Sequence, residues 1–349
     1  MIIPTLFVIM LINFSIIQIA PGGPVEKFVA QMNKVGEMGE VASFSGISDG
    51  INLSDINQSE SNSNYGAIDQ EIAEKINKLY GFDKGFWERF FIMLKKFLIF
   101  DFGESFYQDK KVVDLILEKL PVSISLGLWT TLLVYLISIP LGIKKALNDG
   151  SKFDVYTSFF VSIGHAIPGF LFAILLIILF ASDNFLNIFP LRGLVSDNFA
   201  ELGFFTKIVD YFWHLTLPLV AMTIGGFASL TFFVKNSFIE EINKQYVFTA
   251  YAKGLDDKKV LYKHIFRNAM MIVIAGIPAA FIGILFTGAM LIEIIFSLDG
   301  IGLLGYESVL SRDYPVMFAT LYFFTLIGLI IGIISDLTYK LVDPRVNFD

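Results

Sequence analysis

The chain has 349 residues, of which 55% are hydrophobic and only 17% charged, with a mean hydropathy of +0.66 and a net charge of −7. That composition is too apolar for an ordinary soluble domain, whose core helices would show apolar runs of about 10–14 residues. Cysteine is absent, which excludes disulfides, thiol chemistry and Cys-ligated zinc.

The first apolar run, Met1–Ala20, carries no charge. No Lys or Arg precedes it and it leads into "QIAPGGP", so it reads as a retained anchor rather than a cleaved leader. Further runs follow at Val122–Ile143, Val155–Ser182, Tyr211–Val234, Ala269–Ile292 and Tyr314–Ser335. Each is long enough to cross a hydrocarbon layer about 30 Å thick as a helix. The expected fold is an all-α integral membrane protein with six transmembrane helices. The expected organisation is a first span at 1–20, an outer segment at 21–120 and a core at 121–349.

The outer segment reads in two parts. Residues 42–65 are rich in Ser, Asn, Asp and Gly, and predict a mobile loop. Residues 68–119 predict helices. Ile72, Ile76 and Leu79 sit at helical spacing before Gly81. Trp87, Phe90, Phe91, Leu94, Phe97 and Leu98 form a second stripe, with Arg89, Lys95 and Lys96 opposite. Such helices either form a small outer cap or lie flat in the membrane interface.

Lys and Arg orient the spans. With the N-terminus inside, the short inner loops and the C-terminal tail hold twelve, from Lys144 to Arg345, and the short outer loops hold Arg192, Lys207 and Arg312. Both termini are therefore expected in the cytoplasm. The long outer segment translocates largely regardless of its charge.

The largest inner loop, 235–268, contains "YVFTAYAKGLDDKKVLYKHIFRNA". Good helix formers end at Gly254, a residue type that often closes a helix. Asp256 suits the next N-cap, and Leu255 and Val260 have the spacing of a hydrophobic staple. The pattern is helix, tight turn, helix. The small residues Thr249, Ala250, Ala252 and Gly254 would let another protein approach closely; an ordinary cytoplasmic loop is the plainer alternative.

Glu293, at the outer end of the fifth run, is expensive there unless paired or wetted. It is a gate candidate, or a helix-end residue reaching the surface. His165 and Pro168 are pore candidates in "IGHAIPGFL". Pro140, Pro168, Pro218 and Pro278 would each disturb a membrane helix locally. Gly225–Gly226, Gly283 and Gly288 read as packing surfaces. The three histidines are far apart and form no metal site. No convergent catalytic set appears: there is no H-E-x-x-H, no G-x-S-x-G and no phosphate-binding G-x-x-x-x-G-K-[ST].

The segment "TAYAKGLDDKKVLYKHIFRNA" resembles the cytoplasmic loop of permease subunits in binding-protein-dependent ATP-binding-cassette importers, in their dipeptide and oligopeptide branch. Phe248, Thr249 and Ala250 stand where the family motif has Glu-Ala-Ala, and Gly254 stands at its glycine. The resemblance continues through "INFSIIQIAPGGPV", "FDFGESF", "LPVSISLGLWTTLLVYLISIPLGIKKA", "GAMLIEIIFSLDGIGLLGYE" and "DLTYKLVDPRV". Within that branch it is strongest to permeases for peptides and peptide antibiotics of the microcin C type.

The resemblance implies a non-catalytic transport subunit of the bacterial inner membrane, moving peptides from periplasm to cytoplasm. It implies a cytoplasmic ATPase docked around Phe248, Thr249, Ala250, Lys253, Gly254 and Leu255, with ATP and Mg on that partner. It further implies a second permease subunit, a periplasmic peptide-binding protein, a peptide substrate and surrounding membrane lipid, with no nucleic acid. An ion-coupled secondary peptide transporter is the alternative. It would show inverted repeats and a buried ion site, and no clear internal repeat is present.

Overall fold

The structure, a computed structural model, describes residues 2–19, 84–108, 110–283 and 289–342. Among them all regular structure is helical, with one isolated bridge between Glu104 and Lys111. In chain order the helices are α1 (Ile2–Ile19), α2 (Phe86–Leu98), α3 (Val112–Leu147), α4 (Lys152–Ala166), α5 (Gly169–Phe180) and α6 (Phe204–Ile242). Then come α7 (Gln245–Ala252), one turn at Asp257–Lys259, a π-helix at Val260–Ile265, and α8 (Phe266–Ala275). The last are α9 (Ile277–Gly283), α10 (Ala289–Ile295), α11 (Ile301–Ser311) and α12 (Tyr314–Val342).

Four helical stretches are long and apolar enough to cross a membrane: α3, α6, Asp257–Phe281 and the Tyr314–Thr338 part of α12. The pair α4 and α5 makes a fifth, and the Ile3–Ile16 part of α1 is a shorter apolar helix. These fall on the six apolar runs, with the fifth shifted: Asp257–Phe281 begins twelve residues before the expected Ala269. The third differs in shape, because α4 and α5 meet at a 93° bend. Pro168 causes it. The residue before a proline is pushed out of the helical region, and Ile167 is extended at φ −85°, ψ 119°. Pro140 and Pro218, by contrast, lie inside unbroken helices.

The described residues fall into two compact units, one drawn from Ile3–Val113 and Ser308–Tyr322, the other from Asp114–Glu307 and Phe323–Asp349. In the first, α1 buries Leu6, Met10 and Phe14, which share a face at i, i+4 spacing. Phe90 packs edge-on against Phe7, with ring centroids 5.4 Å apart, and Phe97 packs against Tyr322 at 5.4 Å. The stripe expected on α2 therefore divides. Phe90 and Phe97, two turns apart, face inward, whereas Trp87, Phe91 and Leu98 on the adjoining face are exposed. Arg89 does not point away either; its guanidinium lies 5.8 Å from the Phe14 ring centre. The earlier helix expected around Ile72–Gly81 and the loop at 42–65 lie outside the described residues.

Asp313 caps α12. Its carboxylate accepts from Ser105 Oγ at 2.5 Å and the Phe106 amide at 3.3 Å, and from the Val316 amide. Burial nonetheless pushes this carboxyl above its ordinary pKa, because the hydrogen bonds only partly offset desolvation.

In the second unit two apolar clusters stack along α6. One gathers Leu126, Leu176, Leu215, Ile292 and Phe296; the other gathers Ala146, Val234, Phe238, Val247, Val260 and Met270. Helices α3 and α6 approach closely at glycine. A Cβ on Gly142 would lie 2.7 Å from Val234 Cβ, and one on Gly226 would lie 3.3 Å from Val134.

Beside Gly142 lies a buried charge cluster. Lys145 is fully buried, and its ammonium donates to the Asp154 carbonyl at 3.0 Å, Thr157 Oγ1 at 2.9 Å and Ser158 Oγ at 2.7 Å. Those bonds use its three N–H groups, and Asp154 Oδ1 faces it at 2.9 Å as an ion pair. Lys235 bridges Asp149 at 2.8 Å and Asp154 Oδ2 at 2.7 Å. Helices α3, α4 and α6 are thereby tied at one end. The Gly150 amide also donates to Asp154 Oδ2, at 3.3 Å.

Asp154→Asn should lower thermal stability in detergent at neutral pH by about 3–5 kcal/mol, since it leaves Lys145 buried without a counter-ion. Equal melting curves at pH 7 would contradict the assignment.

Candidate functional site

Two places in the second unit carry the expected site residues. The first is the turn after α7. The Gly254 amide donates to the Tyr251 carbonyl at 2.9 Å and the Leu255 amide to the Ala250 carbonyl at 3.3 Å. This is a Schellman closure, and it requires the left-handed backbone that Gly254 adopts at φ +79°. Leu255 packs on the same cluster as Ala250 and Val260, so the staple expected there is formed. Asp256 occupies the N-cap position, but its side chain makes no capping bond; its carbonyl accepts from the Val260 amide at 3.0 Å. The expected continuous helix into Ala252 is interrupted at Asn243–Lys244, where α6 ends and α7 begins.

The six residues expected at this turn separate by exposure. Phe248, Thr249, Lys253 and Gly254 are exposed, and Phe248 is 63% accessible. Ala250 is 5% accessible and Leu255 half-buried, so these two pack the turn onto the helices beneath it. Tyr251 and Tyr262, not singled out from sequence, are exposed here too. Exposed aromatics on a short rigid element are ready-made contact residues for a partner protein.

The second place is Glu293 on α10. It is fully buried, which excludes the reading in which it reaches the surface. Its carboxylate accepts from Ser123 Oγ at 2.7 Å, from the Leu303 amide at 2.8 Å and from the Gly302 amide. The Ser123 hydroxyl in turn accepts from the Ile301 amide at 2.8 Å. The carboxylate therefore occupies the N-terminus of α11, where unpaired amides and the helix dipole favour an anion. Lys119 of α3 pairs with Asp299 in the same "SLDGIG" turn. A Cβ at Gly300 would overlap the carboxylate, so any side chain there would have to displace Glu293 from its hydrogen bonds. At Gly302 a Cβ would lie 2.8 Å from Glu293 Oε2 and 2.9 Å from Met290 Cα.

His165 and Pro168 are both exposed, at the end of α4 and the bend that follows. Neither belongs to the Glu293 cluster. Gly226 is a packing contact as expected, Gly225 and Gly283 have open space, and Gly288 lies outside the described residues. Lys119, Ser123 and Asp299 carry no signal that singles them out in the sequence, because each partner is far away in the chain. The one local hint is a polar Ser at the start of an apolar run.

Residues 138–348 match the family described as binding-protein-dependent transport system inner membrane component. The chain belongs to that family. It is therefore a non-catalytic membrane permease component of an ABC transporter. It is 55% identical to the inner membrane ABC transporter permease protein YejB of Escherichia coli O157:H7, covering 100% of this chain and 97% of that one. It is 56% identical to the peptidoglycan transport system permease protein YejB of Agrobacterium fabrum, with 99% and 96% covered. The oligopeptide permease OppB of Haemophilus influenzae is a more distant relative, at 27% identity over 99% and 96%. An inward-facing structure of the MetNI methionine ABC transporter shares the fold with a TM-score of 0.51 at 15% identity, over 66% of this chain and 97% of that one.

The Glu293 cluster makes a prediction that does not depend on transport. Glu293→Ala should destabilise the subunit by about 1–3 kcal/mol for each hydrogen-bonding group left without a partner, whereas Glu293→Gln keeps an acceptor and should be mild. Gly300→Ala should be severe alone but cost less than about 0.5 kcal/mol more on a Glu293→Ala background, because the overlapping carboxylate is gone. Additive losses of thermal stability across this double-mutant cycle would sink the assignment.

Proposed function

We propose that the chain is one half of the pore of an importer that carries peptides or peptide-like compounds into the cytoplasm, driven by a cytoplasmic ATPase docked on α7 and the turn at Gly254. The observation that carries the reading is the build of that turn. Phe248, Thr249, Lys253 and Gly254 are offered outward, while Val247, Ala250 and Val260 key the same element into the core beneath α6 and α8. A push on the turn is therefore passed to the helices rather than absorbed by a slack loop. ATP binding to two partner ATPases would supply the differential affinity that alternates the pore.

The proposed orientation places both termini and residues 235–268 in the cytoplasm, and residues 68–119 on the outer side as a cap. A second permease subunit completes the pore, and a periplasmic binding protein delivers cargo. The names of the relatives support peptide-type cargo. Oligopeptides, peptide-bearing cell-wall fragments and antibiotics of the microcin C type share a backbone of amides with charged ends. Glu293, with its ring of amides and Ser123, is proposed to hold the outer turn closed.

In the assembled transporter, Phe248→Asp should weaken association with the ATPase subunit roughly five- to thirtyfold, the effect of losing an aromatic anchor worth about 1–2 kcal/mol. Gly254→Val should reduce uptake through backbone strain while leaving membrane insertion intact, since its Cβ meets open space. Ala250→Glu should also abolish uptake, by disrupting the turn from below. Peptide uptake into reconstituted vesicles, with and without ATP, is the deciding assay. Uptake driven by an ion gradient alone would overturn the reading.

A further inference from the structure

The first unit contains a cleft of about 800 Å³ that the transport reading does not use. Its size lies in the range of about 300–1,000 Å³ typical of small-molecule sites. Four cationic side chains, Lys84, Arg89, Lys96 and Lys111, line it against two carboxylates, Asp101 and Glu104. Asp101 is engaged by the Gly103 amide at 3.3 Å. Among the described residues neither Lys96 nor Lys111 has an ion-pair partner. The floor is aromatic, from Phe14, Phe97, Phe102 and Phe318.

The cleft opens onto an apolar flank. Ile99 and Phe100 line it and are 74% and 49% exposed. They continue into Leu98, Phe91 and Trp87, the outward face of α2. Phe100 holds a left-handed backbone at φ 57°, rare for a bulky residue, which sets its ring against Phe102 and Tyr322.

We propose that this cleft holds the headgroup of an anionic phospholipid, with Lys96 and Lys111 at the phosphate and the acyl chains running along the apolar face of α2. A cationic pocket alone would suit any small anion. The continuous exposed apolar flank decides for a lipid, because a water-soluble ligand would leave Trp87, Phe91, Leu98 and Ile99 uncovered. Tryptophan and basic residues together are also the side chains that settle at a membrane–water boundary. Which leaflet supplies the lipid follows from the orientation proposed above; retention of the lipid does not depend on it.

The test uses the full-length subunit in its assembled transporter, exchanged from vesicles of phosphatidylglycerol and phosphatidylcholine and read by native mass spectrometry. The wild type should keep phosphatidylglycerol through delipidation and discard phosphatidylcholine. Lys96→Gln with Lys111→Gln should lower that retention at least tenfold without changing the melting temperature in pure phosphatidylcholine, because both side chains are exposed. Equal retention in wild type and variant would overturn the proposal. So would displacement of the lipid by millimolar inorganic phosphate or a soluble acidic peptide, which would make the site one for free anions. Retention that appears only after deletion of residues 42–65 would also overturn it, by assigning the cleft to the chain's own segment. None of these measurements needs ATP or uptake, so failure here is distinguishable from failure of the importer reading.

Discussion

A polar group inside a hydrocarbon layer must find its partner within the protein, and this constraint organises the second unit. Helices satisfy their own amides along their length, so the demand concentrates where helices end and where a charge cannot be avoided. Two such places occur. At one, Lys145 is surrounded by four oxygens and Asp154 by two ammonium groups. At the other, Glu293 supplies the acceptor that the first amides of α11 lack. Each removes a cost by joining elements distant in sequence, and each therefore fixes helix positions as well as satisfying charge.

The same logic explains why the turn at Gly254 can be rigid. Its carbonyls are closed by the Gly254 and Leu255 amides, so no water is required beneath it. Ala250 and Val260 can then be buried against Phe238 and Met270. Small residues in this stretch serve two ends. Ala250 lets the turn sit close to its own core, while Gly254 lets the chain reverse, and the bulk offered to solvent comes from Phe248 and Tyr251.

The spans were legible because an uncharged apolar run above about 18 residues suits a helix crossing a membrane and little else in a protein. The turn was legible because Gly254, Leu255 and Asp256 act locally, within a few residues of the groups they satisfy. The bend at Pro168 was legible as a disturbance but not as a 93° break, since Pro140 and Pro218 carry the same chemistry inside unbroken helices. What differs locally is Gly169 directly after Pro168, a turn-forming pair, where Pro140 and Pro218 are each followed by Leu. Glu293 was legible as a costly charge. Its partners were not, because Ser123 lies 170 positions away and the rest are backbone amides with no side-chain signature.

The π-helix at Val260–Ile265 shows the limit of reading by period. In an α-helix, residues five apart are separated by roughly 140° around the axis, so Val260 and Ile265 would not share a face. A wider turn with i→i+5 bonding brings them nearly into line. Both are buried here, at 0% and 2% exposure, in the same cluster that holds Ala250. The wide turn thus lets the short helix after Gly254 and the start of α8 press one apolar side against α6. It lies at the start of the Asp257–Phe281 stretch, directly after the exposed turn. Its buried ends are held by the same packing that holds the turn, which makes turn, π-helix and α6 one mechanical element.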